Sequence, residues 1–136
     1  MKKLNVSRET INSFCEYESL LSKWNKKINL VSKTTLVDIW DRHFLDSGQI
    51  INHVDASGKT WVDVGTGAGF PGLVVALLLK DRKIDCDLTL VEKNTKKVFF
   101  LNEVIRSLNL KVKVVNNSIG CIKPLNADIL TARAFS

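Results

Sequence analysis

Ten consecutive residues constrain this chain more than any others: Asp63-Val64-Gly65-Thr66-Gly67-Ala68-Gly69-Phe70-Pro71-Gly72. Four of the protein's seven glycines fall here. Glycine adopts left-handed backbone angles without steric cost and lets another group approach the main chain. The segment therefore reads as a tight turn. At its start, Trp61-Val62-Asp63-Val64 reads as a short buried strand. Just after it, Pro71 suits the first turn of a helix, and 73–79 predicts a helix packed on both sides. The same unit then repeats. Residues 88–91 read as a second strand, 95–108 as a helix capped by Asn94 or Thr95, 112–115 as a third strand and 128–131 as a fourth. Strands alternating with helices imply parallel βαβ units. Right-handed crossovers lead to the expectation of helices on both faces of the sheet.

Upstream of Gly58 the period is helical. Ile11, Phe14, Glu18, Leu21, Trp24 and Ile28 recur at spacings of three and four, with Glu18 the one polar break and Ser7 the expected N-cap. A second helix is expected over 35–52, broken near His43. The chain divides into a helical cap, 1–56, and an α/β core, 57–136; at 136 residues the two count as one structural domain. The longest apolar run, seven residues, is far short of the ~20 that span a membrane, and no secretory apolar stretch follows Lys2 and Lys3. Cys15, Cys86 and Cys121 have neither metal-site nor redox-motif spacing, so buried inert thiols in a reducing cytoplasm are expected, and no metal site. Trp24, Trp40 and Trp61 read as core residues.

Charge narrows the partner. The net charge is +6, and positions 93–123 carry seven bases against one acid. Such a segment suits a polyanion, nucleic acid above all, and also fits a solvated helix face.

The glycine turn admits two cofactor frames. Gly67-x-Gly69-x-x-Gly72 matches the dinucleotide fingerprint. Read from Asp63 through Gly65, Gly67 and Gly69, it is the acidic-x-Gly-x-Gly-x-Gly pattern of S-adenosylmethionine (SAM) methyltransferases, which gives Asp63 and Gly65 a place. Glu92, ending the second strand, serves both frames as an acceptor for two ribose hydroxyls. A bare structural turn is the third possibility.

Several blocks in order carry a family resemblance: Trp24-Asn25-Lys26-Lys27-Ile28-Asn29-Leu30, Arg42-His43-Phe44-Leu45-Asp46-Ser47, the 63–72 loop, Lys96-Lys97-Val98-Phe99-Phe100-Leu101 and Thr131-Ala132-Arg133-Ala134-Phe135. Together they resemble the bacterial small-subunit ribosomal RNA methyltransferases of the RsmG/GidB family, which methylate a guanine at N7. The resemblance implies a Rossmann-like class I SAM-dependent methyltransferase core behind a helical cap, a cytoplasmic location, SAM as cofactor, and 16S ribosomal RNA or the small subunit as partner. It makes Gly65, Thr66, Gly67 and Phe70 the expected SAM contacts and lays Ile119 and Gly120 along the adenine. Arg133 matches a ligand-contacting arginine, and Lys96, Lys97 and Arg133 are the expected RNA contacts.

Two departures from the family pattern stand out. Ser118 replaces an arginine and Gly120 an acid, which removes an acceptor for the adenine amine and implies SAM binding weaker by about 1–3 kcal/mol. Family members continue with three more strands, whereas this chain ends at Ser136, so the fourth strand is expected as an exposed edge, prone to pairing. Guanine N7 has a lone pair and no proton to lose, so no general base is required and no catalytic residue is named. A remnant that binds RNA or a partner without catalysis is the alternative; a dinucleotide-dependent reductase is a distant third.

Overall fold

The computed structural model describes residues 5–117 and 126–132. The first helix, α1, runs Arg8–Asn25 and starts where expected: Ser7 Oγ accepts the Thr10 amide at 3.2 Å. Its buried positions are Thr10, Phe14, Tyr17 and Leu21. Tyr17, three residues past Phe14 and four before Leu21, continues the core stripe, and Glu18 stands beside it.

The helix expected over 35–52 is four short segments: α2 (Lys33–Val37), a π-helical stretch (Ile39–Phe44), α3 (Leu45–Gln49) and a 3-10 turn (Ile50–His53). The break falls at Asp38, with φ −100° and ψ 17°, and not at His43. The wider π turn places residues five apart on one face, and Ile39 and Phe44 are both fully buried. Phe44 then packs against Phe14, Trp40 and Tyr17 at ring-centroid distances of 4.9, 4.8 and 5.4 Å.

Four parallel strands, β1 (Thr60–Val64), β2 (Asp87–Val91), β3 (Val112–Val115) and β4 (Ile129–Ala132), form a sheet in the order β3-β2-β1-β4. Each boundary is within one residue of the sequence reading. The crossovers are α4 (Gly72–Arg82) and α5 (Thr95–Ser107), the latter capped by Asn94 Oδ1 on the Lys97 amide at 3.1 Å. Residues 73–79 are all buried, because α4 lies between the sheet and the N-terminal helices.

One core joins Trp61, Leu88 and Leu90 of the sheet to α4, to Phe100, Leu101 and Val104 of α5, and to α1. The other sheet face presents Val62, Val64, Val91 and Val115. Among the described residues, then, α4 and α5 share one face instead of covering both: stepping outward from β1 to β2 to β3, right-handed crossovers return on the same side. The thiols also differ from expectation. Cys15 is exposed, pointing away from the core next to Phe14, and Cys86 is half-buried; Cys121 lies outside the described residues. Trp61 is fully buried, while Trp24 and Trp40 are partly buried against the core.

Candidate functional site

The glycine loop leaves β1 at the C-terminal edge of the sheet, where the Gly65 amide donates to the Val91 carbonyl at 2.8 Å. Its glycines serve different ends. A Cβ on Gly69 (φ 100°) would lie 2.5 Å from both Leu73 Cδ1 and the Tyr17 hydroxyl. One on Gly72 would run into Leu90 and come within 2.7 Å of Asp63 Oδ2. At Gly67 (φ 57°) the nearest atom would be 3.9 Å away. Packing therefore requires glycine at 69 and 72, whereas Gly67 faces open space. Tyr17 fastens the loop to α1 by donating its hydroxyl to the Ala68 carbonyl. Sequence reasoning passed over Tyr17, although its place in the 14–17–21 stripe was there to be read.

Two buried carboxylates divide the work. Asp63 is fully buried. Its Oδ2 accepts the Gly72 amide at 3.0 Å, at the positive end of α4. Its Oδ1 accepts the Thr131 hydroxyl at 2.8 Å, and Thr131 Oγ1 in turn accepts the Trp61 indole N–H at 3.1 Å. Asp63 thus ties β1, β4 and α4 together beneath the loop. Glu92, at the end of β2, accepts the Gly67 amide through Oε1 and the Asn94 amide through Oε2, both at 2.9 Å. These bonds orient the carboxylate, and its remaining lone pairs suit incoming hydroxyl donors. Thr66 Oγ1, inside the same loop, is buried with no hydrogen-bond partner among the described residues. A hydroxyl left so costs about 1–3 kcal/mol, which marks the loop as a place where a polar ligand has something to satisfy.

On the β4 side of the loop an open cleft of ≈ 740 Å³ separates the sheet from the N-terminal helices, with Arg42, His43, Asp46, Phe70 and Thr131 on its walls. The Phe70 ring is only 1% exposed and packs on His43, Tyr17 and Phe44 at 5.1, 5.9 and 6.1 Å. A second recess of ≈ 510 Å³ opens at the opposite ends of the strands, around Lys59, Asp85 and Lys113. Ligands of open parallel sheets bind beyond the carboxyl ends of the strands, which favours the loop and its cleft.

Of the residues singled out in the sequence, Gly65, Thr66, Gly67 and Glu92 come together at the loop, and Phe70 sits at the cleft's edge. Lys96 is exposed and Lys97 half-buried at the start of α5. Ile119, Gly120 and Arg133 lie outside the described residues. Among the described residues no three His, Cys, Asp or Glu side chains form a metal-ligating group, and no helix is long and apolar enough to cross a membrane.

Comparison with known proteins agrees with this geometry. Residues 10–136 match the family model GidB, rRNA small subunit methyltransferase G. The chain is 49% identical over 134 residues to the ribosomal RNA small subunit methyltransferase G of Parvibaculum lavamentivorans, covering 97% of this chain and 59% of that protein. It is 38% identical over 136 residues to the protein of the same name from Cereibacter sphaeroides, covering 100% of this chain and 66% of that one. The chain therefore spans just under two thirds of the length of the curated relatives it matches. A SAM-dependent methyltransferase structure from Aquifex aeolicus superposes with a TM-score of 0.55 at 20% identity, covering 85% of this chain and 55% of that one, and so shares the α/β methyltransferase fold. With the glycine loop, the Glu92 carboxylate and the β3-β2-β1-β4 sheet in place, the match over residues 10–136 shows that the chain belongs to the GidB family.

Proposed function

We propose that this chain binds SAM on the glycine loop and contributes to methyl transfer onto ribosomal RNA, with N7 of a guanine in the 16S RNA of the small subunit as acceptor. One observation carries the reading. The open space over Gly67 and the oriented Glu92 carboxylate adjoin at the C-terminal edge of β1 and β2, with a cleft beside them toward β4. The residues present fit the cofactor: Glu92 has acceptor capacity for two ribose hydroxyls, Gly67 lets a ligand reach the backbone, and Thr66 holds an unsatisfied hydroxyl. Bound SAM supplies a methyl group activated by its sulfonium sulfur.

The chain's own part is to hold and to align. Gly65 and Gly67 bring main chain against the cofactor, and Phe70 sets the boundary between loop and cleft. Arg133 and the Lys96–Lys97 pair hold RNA. Ile119 and Gly120 run along the adenine. N7 attacks with a lone pair and releases no proton, so positioning and electrostatics suffice and no base is called for. A ribosomal substrate places the reaction in the cytoplasm. As one structural domain, the cap of 1–56 and the core of 57–136 act together.

Calorimetric titration of the 136-residue chain with SAM tests this, after a cooperative melt has shown that it is folded. Saturable one-to-one binding is the expected result. A folded chain that takes up no SAM overturns the reading. It would leave the one favoured by Ser118 and Gly120, binding of RNA or a partner without catalysis.

A further inference from the structure

Two groups of lysines far apart in sequence meet on one surface. α1 and α5 pack antiparallel: Glu16 accepts from Ser107 Oγ at 2.9 Å near one end, and Trp24 meets Phe100 edge-on at 6.0 Å toward the other. The chain just past the end of α1 and the residues that lead into and open α5 therefore converge. Those residues are Lys27 on one side and Lys93, Lys96 and Lys97 on the other, all exposed except half-buried Lys97; Lys26 instead shares a recess with Cys15, Glu18 and Leu36 on the other flank of α1. Neither 23–30 nor 93–101 contains an acid. Lys23 lies along the same seam, close enough to Glu103 to help hold that carboxyl below its usual range, after the larger effect of its hydrogen bond to Arg106.

Within this cationic surface stands Phe99, 62% exposed. Helical spacing sets it on one stripe with Lys96, three residues before it, and with the Glu103–Arg106 pair beyond, joined at 2.7 and 2.8 Å. An aromatic face amid lysines is poorly matched to water but well matched to single-stranded nucleic acid, where bases stack on rings and cations follow the phosphates. Lys93 directly follows Glu92, so the surface begins at the same strand end as the glycine loop.

We propose that the α1–α5 seam is a docking surface for an unpaired RNA strand, with Phe99 as the stacking platform for one base and Lys23, Lys27, Lys93 and Lys96 on its phosphates. The inference rests on the reading that the chain binds RNA. It adds where an unpaired segment lies and what holds it.

The test measures binding of a fluorescent, unstructured RNA of about twelve nucleotides by anisotropy. An RNA duplex and heparin, a polyanion without bases, serve as comparators. Phe99→Ala is expected to weaken single-strand binding roughly five- to hundred-fold, to leave heparin and duplex binding unchanged, and to be rescued by Phe99→Tyr. Lys23→Gln with Lys96→Gln should weaken all three and flatten the salt dependence by about 0.7 per lysine for the single strand. Phe99 is exposed, so the variants should melt like the parent. If Phe99→Ala leaves single-strand affinity intact, or lowers heparin affinity equally, the stacking surface is refuted while RNA binding stands. If the parent binds neither RNA, the proposal falls with the RNA reading, and the SAM titration still decides cofactor binding separately. Capture of a protein at Phe99 with no RNA affinity would likewise overturn it.

Discussion

Gly72 has no room for a methyl group, while Gly67 has room to spare, and substitution should separate fold from function at the loop. Gly72→Ala would push Leu90 and Asp63 apart, and a loss of about 1–3 kcal/mol is expected in a denaturant melt. Gly67→Ala meets no atom within 3.9 Å and should cost only the left-handed backbone penalty, about 1–2 kcal/mol. It should nevertheless abolish SAM binding by calorimetry, because its Cβ would fill the ligand side. Retained SAM affinity in Gly67→Ala would show that the loop's open face is not where the cofactor lies. The sequence marked all these glycines alike. Which of them answers to packing and which to a ligand depends on Leu73, Tyr17, Leu90 and Asp63, whose approach only tertiary structure sets. Tyr17 illustrates the same limit: its helical position was legible, but its bond to the Ala68 carbonyl joins residues 51 apart.

At the scale of elements, α1 is held to α4 at its N-terminus by one carboxylate. Asp81 Oδ1 accepts the Ser7 amide at 3.0 Å and the Thr10 hydroxyl at 2.7 Å. Burial works against the charged form, but these bonds, with the Ser7 hydroxyl and nearby Arg82, outweigh it and keep the carboxyl below its usual range. A depressed carboxyl stabilises the fold fully above the ordinary carboxylate range, and that contribution fades as pH falls through the lower folded value. Asp81→Ala should therefore lower stability by about 1 kcal/mol at neutral pH. In strong acid the difference from the parent should shrink toward nothing, and urea midpoints at the two pH values check this. The strands were legible to within a residue because short β-branched runs bounded by turns leave little freedom. The 33–53 segment was not, since its apolar residues fit a helical period on average. Only the core decides that Ile39 and Phe44 both turn inward through a π-helical stretch.

Across the whole molecule, charge and thiols show what composition conceals. The excess of bases over 93–123 was plain in the sequence, but Lys23 and Lys27 belonged to a segment of nearly balanced charge, and only antiparallel packing of α1 on α5 joins them to Lys93 and Lys96. The cysteines were expected to be uniformly buried, and they are not. Cys15 is exposed, whereas the Cys86 thiol is pushed up by burial and by the negative charges of Asp87, Asp85 and Asp128. Thiolate is the reacting form, so alkylation at mildly alkaline pH, followed by peptide mapping, should label Cys15 several-fold faster than Cys86. Equal rates would contradict the described burial.

The hydrogen-bond chain from Trp61 through Thr131 to Asp63 also sets a chronology. Its partners stand 70 and 68 residues apart, and contacts so distant are slow to close. During synthesis, β1 and its glycine loop emerge long before Thr131 exists. The loop's foundation gains its bond from β4 only when that strand pairs beside β1. The loop is tied earlier to Val91, Glu92 and Tyr17, so β4 adds the closing bond beneath a loop whose other ties are already made.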